Sequence, residues 1–265
     1  DRSAPAGRRK GNDMGRIVVL GGTGEMGRRV AARLTAGGHE VLTASRSTGV
    51  DVVSGSGLDE ALSGADTVLD CLNLQTMSRR RAVGFFRGSA AAVTAAAQRA
   101  GVGHLVCLSI VNVTDPAVRR ATGYYAGKAA QEETYLASGT PVTVVRTTAW
   151  FTLAETFLTQ ARVGRVAVVP RLLLRPVHPD AAAEALVAAV DEGPPPEGAP
   201  ARWELGGPEV HDAAELARRV AAVRHPGVRV AAVPVPLRRL REGLLPGDEV
   251  PTDGRRFADW LGPSA

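Results

Sequence analysis

The stretch that most constrains this chain is Arg16-Ile17-Val18-Val19-Leu20-Gly21-Gly22-Thr23-Gly24-Glu25-Met26-Gly27-Arg28-Arg29-Val30. Its four consecutive apolar residues read as a strand buried on both faces. Glycines follow at 21, 24 and 27, and an Ala/Arg/Leu helical pattern runs on to Leu34. A strand that feeds a helix through such a turn leaves unpaired backbone N–H groups above the helix start. The helix dipole adds partial positive charge there, so the ligand this cradle suits is a phosphate. Gly21 permits the tight turn, Gly24 lets backbone approach a pyrophosphate, and Gly27 lets the helix lie close to the sheet. Gly21, Thr23, Gly24, Glu25, Met26 and Gly27 are the resulting candidates for dinucleotide binding.

With 265 residues, 45% of them hydrophobic, the chain can build one α/β domain with a small appendage. No apolar run approaches the ~20 residues of a membrane span, and no signal-peptide core opens the sequence, so no membrane partner is expected. Cys71 and Cys107 both lie in strand-like apolar runs and read as buried thiols in a reducing compartment, which points to the cytoplasm. The formal charge of +5 is spread over helices with few aromatics beside it. A nucleic-acid surface needs a concentrated basic stripe, and none is present. No Cys/His spacing suits a metal. Residues 1–13 are polar and Gly/Arg-rich and read as an extension ahead of a candidate start at Met14.

Glu40 to Ser45 is the second strand. At its end a protein of this design selects its cofactor: an acid grips the ribose 2′-hydroxyl, whereas Arg accommodates a 2′-phosphate. The chain places Ser45-Arg46-Ser47-Thr48 there and no carboxylate. Arg46 can pair with the phosphate dianion and Ser45, Ser47 or Thr48 can donate to it, which reads as NADP(H) rather than NAD(H). Val50–Val53 reads as a short strand, Thr67–Leu72 as the fourth and His104–Val111 as the fifth, with Asn73 and Ser109 at the exits of the last two. A helix over 79–100 separates them; Arg79-Arg80-Arg81 near its start read as a solvated turn.

Tyr124 and Lys128 are four apart, so a helix puts them on one face. A phenol is a poor proton donor or acceptor at neutral pH until a nearby ammonium favours its anion. Lys128 is placed to do that, and Ser109 is placed to bond a substrate carbonyl. The chain meets nearly all its need for positive charge with Arg, and Lys10 and Lys128 are its only lysines. A single lysine inside Tyr-x-x-x-Lys marks a place where a compact ammonium is wanted and a guanidinium fork will not serve.

Further along, Pro141–Arg146 is the sixth strand, and Trp150 and Phe151 open a helix to about Ala161. These two aromatics suit an apolar substrate pocket or the core equally. Asp180 is the expected N-cap of an Ala-rich helix, with His178 packing before it. The Pro234–Leu237 and Leu244–Pro246 segments are candidates for a substrate wall or a partner surface.

Taken together, the Gly-x-x-Gly-x-x-Gly turn, Arg46, Leu-Ser-Ile-Val at 108–111, the Tyr124–Glu133 helix, Val144-Val145-Arg146-Thr147-Thr148 and Leu205-Gly206-Gly207-Pro208-Glu209 resemble the atypical short-chain dehydrogenase/reductases of the NmrA-like group. The likeness covers nearly all of residues 15–262. It implies an α/β fold: a Rossmann-type doubly wound parallel sheet with a small C-terminal α/β substrate portion. The expected divisions are a tail at 1–14, an NADP-binding domain at 15–164, and a cap portion at 165–265 packed on the same domain. The adenine-side Asp that many relatives carry after the third strand is here replaced by Ser and Gly. The resemblance implies an NADPH-dependent reductase of a carbonyl, quinone or enone in a small hydrophobic or aromatic molecule, with Tyr124, Lys128 and Ser109 catalytic and Lys128 also on the cofactor ribose. The group also contains proteins that bind NADP(H) without turnover, and enzymes of other reaction types. A homodimer is compatible with either.

Overall fold

The computed structural model describes residues 15–76, 78–235 and 244–262. The expected extension at 1–14 and residues 236–237 of the Pro234–Leu237 segment lie outside the described residues. The apolar runs form a parallel sheet of β1 (Arg16–Leu20), β2 (Glu40–Ala44), β3 (Thr67–Asp70), β4 (His104–Ile110), β5 (Val142–Thr147) and β9 (Ala201–Leu205), in the order β2-β1-β3-β4-β5-β9. Burial on both faces explains their unbroken Val/Leu/Ile character. Ile17, Val19, Leu69, Val106, Leu108 and Val145 pack toward α1 (Glu25–Ala36) and α7 (Pro179–Glu192). Val18, Leu20, Val68, Leu105, Cys107 and Val144 pack toward α2 (Leu58–Leu62), α3 (Arg79–Ala100) and α5 (Gly123–Leu136). Both cysteines are buried and unpaired.

β1 lies between β2 and β3, so the chain reverses its winding at β1 and opens a crevice at the carboxyl edge of the sheet. The turns after β1, β2 and β3 and the N-termini of α1, α3 and α5 all lie at that edge. A smaller layer packs beside it. It comprises α6 (Leu153–Gln160), α8 (Ala213–Arg224), α9 (Phe257–Leu261) and a sheet of β6 (Arg162–Val163), β7 (Val166–Pro170) and β11 (Arg229–Val233), whereas α4 (Pro116–Ala121) packs on α5. β8 (Leu173–Leu174) pairs with β10 (His211–Asp212). Between these pieces α7 and β9 return to the main sheet, so residues from 165 onward contribute to both layers. Leu244 joins the core of the smaller layer, and the Leu245 carbonyl accepts a hydrogen bond from Asn112 at the exit of β4 (2.5 Å).

Three local expectations are corrected. Val50–Val53 is not a strand: the Asp51 carboxylate accepts from the Val53 N–H (2.9 Å) and the Ser54 hydroxyl (3.1 Å), curling the segment into a turn. The N-cap of α7 is His178, whose Nδ1 accepts from the Asp180 N–H at 3.0 Å, with Pro179 in the first helical position. Asp180 instead binds Arg29 (2.6 Å) and Arg33 (3.0 Å) on α1. Finally, α6 begins at Leu153, and Phe151 is core, packed edge-on against His178 and Phe257. Trp150 donates to the Thr147 hydroxyl at 3.0 Å. Among the described residues no helix is long and apolar enough to cross a membrane.

Candidate functional site

The glycine turn is built as its spacing requires. Gly21 sits at φ +70°, and a Cβ there would meet the Cys71 carbonyl at 3.0 Å. A Cβ on Gly27 would stand 2.2 Å from the Gly21 carbonyl, so only glycine lets α1 start this close to the turn. Gly24 is the N-cap of α1 and supplies no side-chain cap, leaving first-turn N–H groups open at the crevice. Thr23, Gly24 and Glu25 are exposed, whereas the Met26 side chain is core and can offer only its backbone. Uncapped amides on a helix start, walled by backbone that tolerates no Cβ, fit a dinucleotide pyrophosphate.

After β2, Ser45 and Thr48 close a single turn reciprocally: the Ser45 N–H donates to the Thr48 hydroxyl at 2.9 Å, and Thr48 hydrogen-bonds back to the Ser45 carbonyl at 3.0 Å. The Ser45 and Ser47 hydroxyls lie 2.8 Å apart. The Arg46 carbonyl accepts from the Gly49 N–H at 3.3 Å, but its exposed side chain makes no hydrogen bond or close ion pair among the described residues, so the guanidinium is available to a phosphate. Asn73 is exposed just beyond β3, at the same edge.

Tyr124 lies in the first turn of α5, its ring edge-on to Phe86 of α3 at 5.8 Å. Its hydroxyl bonds no other described residue. Burial raises its pKa, and the Lys128 ammonium offsets only part of that rise. The expected lowering is thus reversed in sign, and the phenol is held neutral. Lys128 is 2% exposed. Its Nζ donates to the Leu108 carbonyl at 2.6 Å and to Gln131 Oε1, and stands 4.9 Å from the Phe86 ring centre. Ser109 is fully buried, and its hydroxyl has no hydrogen-bond partner among the described residues. The three residues share one region of the fold without being joined by hydrogen bonds.

Two polar clusters escaped the sequence reading. Asp70, 1% exposed at the end of β3, accepts from Gln131 Nε2 (2.7 Å), the Tyr135 hydroxyl (2.6 Å) and the Leu72 N–H (2.7 Å). Arg146 of β5 forks onto Glu132 of α5 (3.0 and 2.7 Å) and reaches Glu204 of β9 (3.2 Å), beside a cavity of about 250 Å³ that also borders Arg119 and Arg202. The signal for the first was available: Lys128, Gln131 and Tyr135 follow at i, i+3 and i+7 on one helix face.

A family model for NAD(P)H-binding proteins matches residues 21–192. The chain belongs to this NAD(P)H-binding family. A curated relative, the (4-alkanoyl-5-oxo-2,5-dihydrofuran-3-yl)methyl phosphate reductase of Streptomyces griseus, is 38% identical over 112 residues. That match spans 38% of this chain and about a third (36%) of the relative. Solved structures share the fold at low identity. The dTDP-4-dehydrorhamnose reductase of Bacillus anthracis, in complex with NADP, is 15% identical with a TM-score of 0.66 over 88% of this chain and 89% of its own. MoeE5, solved with UDP-glucose and NAD, gives 18% and 0.68 over 95% and 93%. A short-chain dehydrogenase/reductase superfamily protein of Agrobacterium tumefaciens with bound NAD gives 19% and 0.58 over 90% and 89%.

Proposed function

We propose that this NAD(P)H-binding protein is an NADPH-dependent reductase of a carbonyl, quinone or enone in a small hydrophobic molecule. The observation that carries the reading is Tyr124: a neutral phenol, hydrogen-bonded to no other described residue, in the first turn of α5 at the edge that bears the dinucleotide cradle. When bound, the reduced nicotinamide supplies the hydride. A neutral phenol is the form that can hand a proton to an oxygen gaining charge as hydride arrives. The Ser109 hydroxyl, buried and without a partner among the described residues, is the donor that would hold that oxygen once substrate reaches it. Lys128 spends two of its three N–H donors on Leu108 and Gln131, leaving one for a ribose hydroxyl while its charge limits the rise of the phenol's pKa. The name of the Streptomyces relative describes an alkanoyl-substituted unsaturated lactone, which supports the enone among the three acceptors. The free Arg46 supports NADP(H) over NAD(H), the lineage fits the NmrA-like group, and two buried, unpaired thiols suit the cytoplasm.

Replacing Tyr124 by Phe is the test. Turnover is expected to fall at least ~100-fold, the lower end of general acid catalysis, with NADPH affinity within about twofold of the parent. Full activity in Y124F removes Tyr124 from the mechanism. A second reading, a protein that binds NADP(H) without turnover, is favoured by the inward engagement of Lys128. Mixing the protein with NADPH and a carbonyl, quinone and enone panel separates the two: binding without consumption across the panel supports the second.

A further inference from the structure

A buried ammonium needs a counter-charge, and a carboxylate out of water needs donors for its lone pairs. The interior between β3 and α5 meets both needs with one chain of contacts. Lys128 Nζ donates to Gln131 Oε1, Gln131 Nε2 donates to Asp70 Oδ2 at 2.7 Å, and the Tyr135 hydroxyl donates to the same oxygen at 2.6 Å. The two charges therefore face each other across one amide, whose orientation each of them dictates. The other carboxylate oxygen takes the Leu72 N–H at 2.7 Å. The backbone of Cys71 and Leu72 is the wall that a Cβ on Gly21 would strike, at 3.0 Å from the Cys71 carbonyl and 3.3 Å from the Leu72 nitrogen. One side chain thus ties the loop behind the dinucleotide cradle to the helix that carries Tyr124 and Lys128.

We infer that Asp70 is a positioning residue. It fixes the Cys71–Leu72 wall of the cradle with one oxygen and, through Gln131, turns the Lys128 ammonium inward with the other. This role rests on the reading that the crevice beside Gly21 holds the dinucleotide. Networks of this kind are stiff when every member is satisfied, and they fail together when one is removed. Cutting the chain at Gln131 should therefore loosen the loop after β3, although Gln131 bonds nothing in that loop.

The experiment uses the full chain without cofactor first, so that it stands independently of any activity. Amide hydrogen exchange of the 70–76 segment is compared in the parent, D70N and Q131L, with exchange of α8 as an internal reference and circular dichroism as a check on folding. Both variants are expected to exchange at least tenfold faster at Leu72, with α8 unchanged. A Leu72 amide as protected in Q131L as in the parent overturns the proposal, and so does equal loosening of α8, which would mean global destabilisation. NADPH titration of the same proteins follows. Both variants are expected to bind at least tenfold more weakly than the parent, and D70N/K128M is expected within threefold of K128M alone because the charge it would strand is gone. Independent, multiplying losses in that cycle overturn the coupling of Asp70 to Lys128. Failure of the parent itself to bind NADPH would instead strike the functional reading, leaving the exchange result to judge Asp70. Should D70N not fold, Q131L, which keeps both charges, decides the question.

Discussion

Two alanine substitutions in one turn separate what holds the fold from what admits the ligand. A Cβ on Gly27 would lie 2.2 Å from the Gly21 carbonyl and 2.7 Å from the Gly22 Cα, both rigid backbone. To reach the ~3.0 Å floor of real contacts the start of α1 must move by about 0.8 Å, carrying Met26, Val30 and Leu34 with it through a close-packed core. Overpacking of this kind costs about 1–3 kcal/mol. For a chain of this size each kcal/mol shifts the unfolding midpoint by roughly 2–4 °C, so G27A is expected to unfold about 2–12 °C earlier. It should also lose the cradle. Gly24 differs: its backbone is extended (φ −75°, ψ 175°), open to any residue, and a Cβ would meet only the Gly21 carbonyl, at 3.1 Å. G24A is expected to keep its midpoint within about 2 °C, because the change stores little strain. Its NADPH affinity is nevertheless expected to fall at least ~tenfold, since the added methyl stands where backbone and phosphate must approach. Thermal unfolding and fluorescence titration of both proteins supply the numbers. A G24A protein with parental affinity, or a G27A protein with parental stability, would refute the reasoning.

Two further outcomes concern stability. Glu132 and Arg146 are a nearly buried bidentate pair, with side-chain exposures of 4% and 11%. Removing Glu132 takes away the bidentate partner and leaves Arg146 only its single contact to Glu204 at 3.2 Å. E132A is therefore expected to lose about 3 kcal/mol by denaturant unfolding, the lower end for a broken buried pair, and a loss under about 1 kcal/mol would contradict the pairing. His104, buried with its Nε2 2.9 Å from the Thr143 hydroxyl, has its pKa pushed down to about 4 by desolvation, from an ordinary 6.5. The unfolded chain then binds protons that the fold refuses. The stability this contributes is complete above about pH 6.5 and is lost progressively as pH falls to about 4, some 3 kcal/mol in all. The half-buried cap His178 is shifted in the same direction by the same cause. An unfolding series over that window should show the loss, and H104Q should flatten the curve by about that amount; an unchanged slope in H104Q would assign the acid sensitivity elsewhere.

The parts of the fold legible in the sequence are those set by local pattern. An apolar run, a glycine turn and an amphipathic helix in succession give β1, the crevice and α1, and positions 109, 124 and 128 fall in neighbouring elements as their order along the chain suggests. The unread parts are non-local. Val50–Val53 has strand composition, yet Asp51 and the left-handed glycines at 49, 55 and 57 turn the chain back on itself. The pairing of β9 with β5 joins residues far apart in sequence, so no spacing announces it. Helical periodicity places Lys128 equally beside Tyr124 and Gln131; what decides between them is Asp70, which lies 61 positions before Gln131. Burial, which no spacing reports, is what outweighs the ammonium and keeps the phenol neutral.

The proposed function requires the turn after β1 and the guanidinium after β2 together to capture a 2′-phosphorylated dinucleotide. It is tested most directly by calorimetric titration of the parent and R46A with NADPH and NADH. The parent is expected to bind NADPH at least ~tenfold more tightly than NADH, and R46A to bind both alike, since a charge-assisted contact of this kind contributes about 1.5–3 kcal/mol. A parent protein indifferent to both dinucleotides, or a preference that survives loss of Arg46, would contradict it.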